Sequence, residues 1–168
     1  MAISKDKKKE IYDKISDILK HSPSVAFVNF HGLGVSQITE MRKTLRDSGI
    51  GYFVAKKTLI KRALFGNKIS GDTPVLDGEI AIAYTTTLKG DDGLIGPARE
   101  VYVFQKKFKD LMAIVGGIFE NTYKNKEDMT NIAKIPTTKV LYGQIVQIIN
   151  SPIQQFAVAL NQIADKKS

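Results

Sequence analysis

Lys56, Lys57, Lys61 and Arg62 stand within seven residues, and their types and spacing suit one chemistry in particular, the holding of phosphate groups. From Gly51 to Ser70 there are five basic residues and no acid, whereas Ile69 to Phe104 holds two basic residues and six acids. The positive field is therefore local. Over the whole chain, 25 Lys and Arg against 17 Asp and Glu leave a net charge of +8, a surplus that favours polyanionic partners without choosing among nucleic acid, anionic lipid and acidic protein. In the run GYFVAKKTLIKRAL, residues 51 to 64, a short apolar strand is followed by residues in helical period. On that helix Leu59, Ile60, Ala63 and Leu64 share one arc, and Lys57, Thr58, Lys61 and Arg62 share the opposite one. Lysines at a helix start oppose the macrodipole, so Lys56 and Lys57 carry a small local cost that a bound phosphate reverses. The alternative is a merely solvated basic face. Lys7, Lys8 and Lys14 on the first helix extend the patch.

Catalytic chemistry is hard to assemble from the remaining residues. His21 and His31 lie ten apart, with no Cys in the chain and no evident carboxylate companion, so no metal site is expected. The phosphate-binding GxxxxGK[ST] loop, the GxGxxG fingerprint and the Gly-x-Ser-x-Gly elbow are all missing. Asp91 and Asp92, beside Gly90 and Gly93, read as a turn. Gly116 and Gly117 end an apolar run and suit a bulge or strand end, with close backbone approach as the alternative. No catalytic residue, cofactor or enzymatic activity is predicted. An enzyme built on the loop around Asp91 would need a pocket and perturbed carboxylates.

The elements that must position the cations follow from periodicity. Ile11, Ile15, Ile18 and Leu19 recur at helical spacing, which predicts a helix over 5–20, ended by His21, Ser22 and Pro23. SVAFVNF, 24–30, is a strand; HGLG turns the chain; and 35–46 is a helix with Ile38, Met41, Arg42 and Leu45 spaced by turns. A strand at 50–54, the basic helix, a polar loop at 71–78 and a strand at 79–84 follow. Pro97 opens a helix over 97–109, and 111–119 is the last strand. This alternation predicts an α+β fold: a mixed four-stranded sheet with helices, ferredoxin-like (a split βαβ with extra helices), plus a protruding C-terminal helical tail. The expected division is an α/β domain over 1–120, a polar linker with a short helix over 121–136, and a helical tail over 137–168. The lysine-rich N-terminus lacks the apolar core of a secretory signal, and the absence of Cys suits a reducing cytosol, so a cytoplasmic location is expected.

The tail is the least ordinary segment. Val140 to Ala164 is twenty-five residues without one charge. On a helix at about 100° per residue, Leu141, Ile145, Ile148, Ile149, Phe156, Leu160 and Ile163 fall within an arc of roughly 120°, while five Gln and two Asn lie outside it. Left wet, those seven side chains would forfeit on the order of ten kcal/mol at ~1.5 each, against domain stabilities of ~5 to 15. The stripe therefore packs back onto its own domain or is occupied by another chain. Its Gln and Asn content is too polar for a membrane span. Pro152 predicts a kink or break, giving two short apolar faces of about ten residues each.

Together these residues resemble the bacterial stalk-base proteins of the large ribosomal subunit, the family of large-subunit protein ten. The likeness runs from the first helix to the C-terminus. It rests on the FHGLGV turn (Phe30 to Val35), the helix with Met41, Arg42, Leu45 and Arg46, the VAKKTLIKRA segment and the Gly78 to Tyr84 strand. It rests also on Gly116 to Glu120, the IAKIPT run from Ile132 to Thr137, and the pattern around Pro152, Leu160 and Ile163. Lys57 stands where that family usually has Asn, and Glu79 where Pro is frequent. The resemblance implies a structural constituent of the large ribosomal subunit, located there in the cytoplasm. Its α/β domain would bind 23S ribosomal RNA at the stalk base, beside a neighbouring large-subunit protein. Its C-terminal helix would anchor acidic seven/twelve stalk protein dimers, two of them for a tail of this length, which recruit translational GTPases. It implies RNA contacts at Lys56, Lys57, Lys61 and Arg62, with Arg42 and Lys8 as further candidates, and partner contacts at Leu141, Ile145, Ile148, Ile149, Phe156, Leu160 and Ile163. A basic RNA- or DNA-binding regulator whose tail self-associates is the alternative.

Overall fold

A computed structural model describes residues 4–67, 69–71, 73–74, 76–86, 92–108 and 111–167. Asp91, read above as part of a turn, lies outside them, as does Lys68 of the basic run. The order of elements is α1 (Lys5–His21), β1 (Ser24–Asn29), α2 (Val35–Asp47), β2 (Ile50–Val54), α3 (Lys57–Gly66) and β3 (Ile80–Thr85). Then come α4 (Asp92–Lys107), β4 (Ala113–Phe119), β5 (Thr122–Asn125), α5 (Lys126–Ala133) and α6 (Thr138–Lys167). The chain divides into two compact units, 1–135 and 136–168.

In the first unit the strands form one sheet in the order β2-β3-β1-β4-β5. Every pair along it is antiparallel. β1 and β2 run the same way with β3 between them, and β3 and β4 run the same way with β1 between them, so α2 and α4 each close a split βαβ unit. α3 is the extra helix, set between β2 and β3. The α+β, ferredoxin-like expectation describes this sheet, with two corrections: among the described residues the strands number five, and the named strands all pair antiparallel instead of mixed, with a parallel bridge from Ser70 to Thr122 outside those pairings. Alternating strands and helices suggest parallel neighbours, but a split βαβ inserts an oppositely running strand between each pair.

Successive residues of a strand point to opposite faces, and β1 shows what that does here. Val25 and Phe27 pack with Ile15 and Leu19 of α1, Ile60, Ala63 and Leu64 of α3, and Ile82. Ala26 and Val28 pack on the other side with Met41 and Leu45 of α2, Ala98, Val101 and Phe104 of α4, and Met129 of α5. One face of the sheet thus carries α1 and α3, the other α2, α4 and α5.

Residues 121–128, expected as a polar link, instead hold β5 and the start of α5. Edge strands tolerate polar residues, which hides them from a search for apolar runs. Tyr123 is the exception in β5: its side chain is buried, and that burial raises its phenol above the ordinary value. The helix expected from 97 begins at Asp92, so Pro97 lies inside it. Proline cannot donate to the carbonyl four residues back, which is that of Gly93. The Thr85 hydroxyl donates to that oxygen instead, at 2.5 Å. The glycine pair in β4 meets both readings offered for it. A register shift opposite Phe27 and Val28 leaves Val115 as an extra residue of β4, which is a bulge. A Cβ on Gly117 would come within 2.5 Å of the Val25 carbonyl oxygen and of the Met129 methyl.

The second unit is essentially α6, which is assigned as helix without interruption from Thr138 to Lys167. Pro152 does not break it. The missing N–H leaves the Ile148 carbonyl without its helical donor, but the remaining ladder carries the helix across.

Candidate nucleic-acid and partner interfaces

α3 is laid on the sheet by Ile60, Ala63 and Leu64, all buried, so its remaining faces are turned outward. Lys56, Lys57, Lys61 and Arg62 are all exposed. Lys56 is the N-cap residue, in extended conformation and with no side-chain hydrogen bond, and the first turn contains no acid. The unpaired N–H groups of that turn and two lysines therefore add positive potential at one end of the helix. Among the described residues the ion pairs are Arg99 with Glu100 and Lys107 with Glu40, so these four cations are not internally neutralised.

α1 runs beside α3 on the same face of the sheet, and the two leave a groove of about 560 Å³ between them. Lys5, Lys8, Lys9 and Arg62 line it, with Tyr12 and Leu59 supplying an apolar floor. Lys8 and Arg62, fifty-four positions apart in the chain, are thus brought together. The expectation missed Lys5 and Lys9. Their signal was present in the spacing 5, 9, 12 and 8, 12, which places them on the Tyr12 side of α1.

Arg42 does not join that groove. It belongs to α2, on the opposite face of the sheet, where its guanidinium lies over the Tyr52 ring at 5.7 Å from the centroid. Burial raises the Tyr52 phenol far above its ordinary value, against a weaker opposing pull from Arg42, so the phenol stays neutral and the contact is cation–π. Arg42 and Arg46 line a second basic groove, about 420 Å³, along β2 with Gly51, Tyr52 and Tyr84. The Tyr84 ring fits there because its cross-strand partner is Gly51, where any Cβ would strike the ring. The basic candidates therefore form two surfaces, one on each face of the sheet.

On α6, Ile145, Ile148, Ile149, Phe156, Leu160 and Ile163 are between 51 % and 70 % exposed, and Leu141 is half-buried. A single helix has no second element of its own unit to cover such a stripe. Tyr142, Val146 and Ile153 are exposed as well and widen the stripe along one flank. They stand three or four residues from members of the stripe, a spacing that could have identified them from sequence.

Among the described residues no three His, Cys, Asp or Glu side chains come together as a metal site. His21 is accounted for locally, its Nδ1 lying 2.8 Å from the Asp17 carbonyl oxygen in the last turn of α1. Among the described residues no helix is long and apolar enough to cross a membrane.

Residues 3–92 match the family model of ribosomal protein L10. The large ribosomal subunit protein uL10 of Macrococcus caseolyticus is 32 % identical over 160 residues, covering 95 % of this chain and 90 % of that protein. The uL10 protein of Shouchella clausii is 30 % identical over 162 residues, 96 % of this chain and 94 % of its own length. That of Bacillus licheniformis is 29 % identical over 167 residues, 99 % and 97 % of the two chains.

Proposed function

The chain belongs to the ribosomal protein L10 family, constituents of the large ribosomal subunit, and from that premise we propose that it joins ribosomal RNA to acidic stalk proteins. In this reading unit 1–135 binds 23S ribosomal RNA at the stalk base, beside a neighbouring large-subunit protein, and α6 anchors two acidic stalk protein dimers that recruit translational GTPases. One observation carries it. α6 presents a continuous apolar stripe, without a charge from Val140 to Ala164, in a unit that holds nothing to cover it. An apolar core with a neutral polar rim suits an acidic partner that docks through its own apolar surface while its charges stay in water.

The RNA side rests on Lys56, Lys57, Lys61 and Arg62 of α3, with Lys8 facing Arg62 across the α1–α3 groove. Arg42 would serve a separate contact through the second groove. Readout in the helical parts of the RNA is of shape and phosphate, because the A-form major groove is closed to side chains.

Native mass spectrometry of the full chain co-expressed with its acidic partner tests the proposal. The expected species is one copy of this chain with four acidic chains. A homodimer that ignores the acidic protein would overturn the assignment and make the tail a self-association device. For the RNA side, the triple substitution Lys57→Ala, Lys61→Ala, Arg62→Ala should weaken binding to a 23S transcript. It should also flatten the dependence of log K on log salt by roughly 0.7 to 0.9 per lost phosphate contact. A slope identical to that of the wild type would take α3 out of the interface.

A further inference from the structure

Phe65 is a large apolar side chain of the first unit that the fold leaves uncovered. It stands near the end of α3 with 80 % of its surface uncovered, although three of its helix neighbours, Ile60, Ala63 and Leu64, are buried. Four and eight positions earlier are Lys61 and Lys57, so the ring and the two ammonium groups follow one another along a single ridge of the helix. The ring also forms one wall of a shallow pocket of about 200 Å³, whose other walls are Lys61, Leu64, Thr73, Pro74 and Leu76. Leu64, Pro74 and Leu76 are buried, and Leu64 and Leu76 belong to the core beneath α1 and α3.

Which occupant fits is decided by the charges at the rim. A protein side chain would suit the apolar walls, but among the described lining residues the charged one is Lys61, with Lys57 one turn before it on the same ridge and no acid on α3, whereas Asp77 and Glu79 follow the opposite wall in the chain. A nucleotide supplies both complements at once, a flat π-face for the ring and a phosphate for the ammonium groups. About 200 Å³ is roughly the volume of seven liquid waters at ~30 Å³ each, room for one planar heterocycle and too little for a folded element. Aromatic platforms of this kind take bases that have left the stack, as RNA loops and bulges provide.

We propose that Phe65 is a stacking platform for one unstacked nucleobase of RNA, whose flanking phosphates are held by Lys57 and Lys61. The inference rests on the reading that α3 faces ribosomal RNA, and it adds a base-stacking contact to a surface otherwise suited only to shape and charge. Because every base has a π-face, the platform itself chooses for an extruded nucleotide, whatever its identity.

The test uses the full chain and a transcript of the stalk-base region of 23S ribosomal RNA. Phe65→Ala and Phe65→Leu should each weaken binding about 5- to 150-fold, the range that loss of one base–aromatic stack spans. The salt slope should not change, since no phosphate contact is removed. Phe65→Trp should bind as the wild type does, and because the chain has no other tryptophan its indole fluorescence should be quenched as RNA saturates it. Phe65→Leu binding at wild-type strength, or an indole unquenched at saturation, would overturn the platform. A Phe65→Leu chain that binds the transcript normally but is outcompeted by wild type during subunit assembly would make the pocket a protein-docking site instead. The two readings separate cleanly: a wild-type chain that fails to bind the transcript sinks the RNA assignment itself. Phe65→Ala equal to wild type, with a full salt slope, removes only the stacked base.

Discussion

A chain carrying Ile149→Asp and Phe156→Asp is expected to lose the acidic dimers proposed to dock on α6, with affinity falling by about a thousandfold or more, while unit 1–135 melts at the wild-type temperature. The two residues lie seven apart on the same face of α6, one before Pro152 and one after it. Both are more than two-thirds exposed, at 69 % and 67 %, so they are available to a partner and contribute little to the folded chain by itself. Large apolar anchors at the centre of an interface typically cost ~2 kcal/mol or more each when truncated, and every ~1.4 kcal/mol is tenfold in affinity. A buried carboxylate adds its own desolvation cost to the lost contact, and facing an acidic partner it adds repulsion. Gln154→Asp with Asn161→Asp is the control. It places the same two charges on the polar face of the same helix and should leave capture nearly intact. Singly, Ile149→Asp and Phe156→Asp should each release one of two dimers, if the stretches on either side of Pro152 are separate docking units. Native mass spectrometry reads all four chains. Retention of both dimers by the double variant would show that the stripe is not where they sit.

Phe27→Ala is expected to destabilise unit 1–135 by about 3 to 5 kcal/mol, a large share of the ~5 to 15 kcal/mol available to a domain. Phe27 is fully buried in β1, paired with Ile82 of β3 on one side and Gly116 of β4 on the other. It belongs to the cluster that contains Ile15 of α1 and Ile60 of α3, so the cavity would open beneath the helices that bring Lys8 to Arg62. The proposed RNA binding should therefore weaken with stability, whereas the proposed capture of acidic dimers through α6 should persist. Urea unfolding gives the measurement: a lower midpoint at an unchanged m-value. A loss below about 1 kcal/mol would mean that the site collapses around the gap and that Phe27 does not hold the face together.

Most elements were legible because each is set by its own residues. The expected strands 24–30, 50–54, 79–84 and 111–119 correspond to Ser24–Asn29, Ile50–Val54, Ile80–Thr85 and Ala113–Phe119, and the helices 5–20 and 35–46 to Lys5–His21 and Val35–Asp47. Where the expectation slipped, the controlling partner was remote in the chain or the signal was weak. The sequence points to a start of α4 at Pro97 because proline, with acids near it, favours a first helical turn. The hydroxyl that lets the helix begin earlier belongs to Thr85 of β3. β5 has four residues, TYKN, and one apolar side chain, so only its pairing with β4 makes it a strand.

Which faces are apolar, where positive charge is unopposed, and that α6 carries a long uncharged stripe can all be read along the chain, because a helix or strand repeats at a period set by its own backbone. Tertiary structure alone decided which of those faces meet. The order β2-β3-β1-β4-β5 sends α3 to the side of α1 and α2 to the other, so Lys8 joins Arg62 while Arg42 is left across the sheet with Tyr52. It also sets Pro74 and Leu76 against Phe65. Such pairings depend on strand order between segments tens of residues apart, and no local period encodes that order.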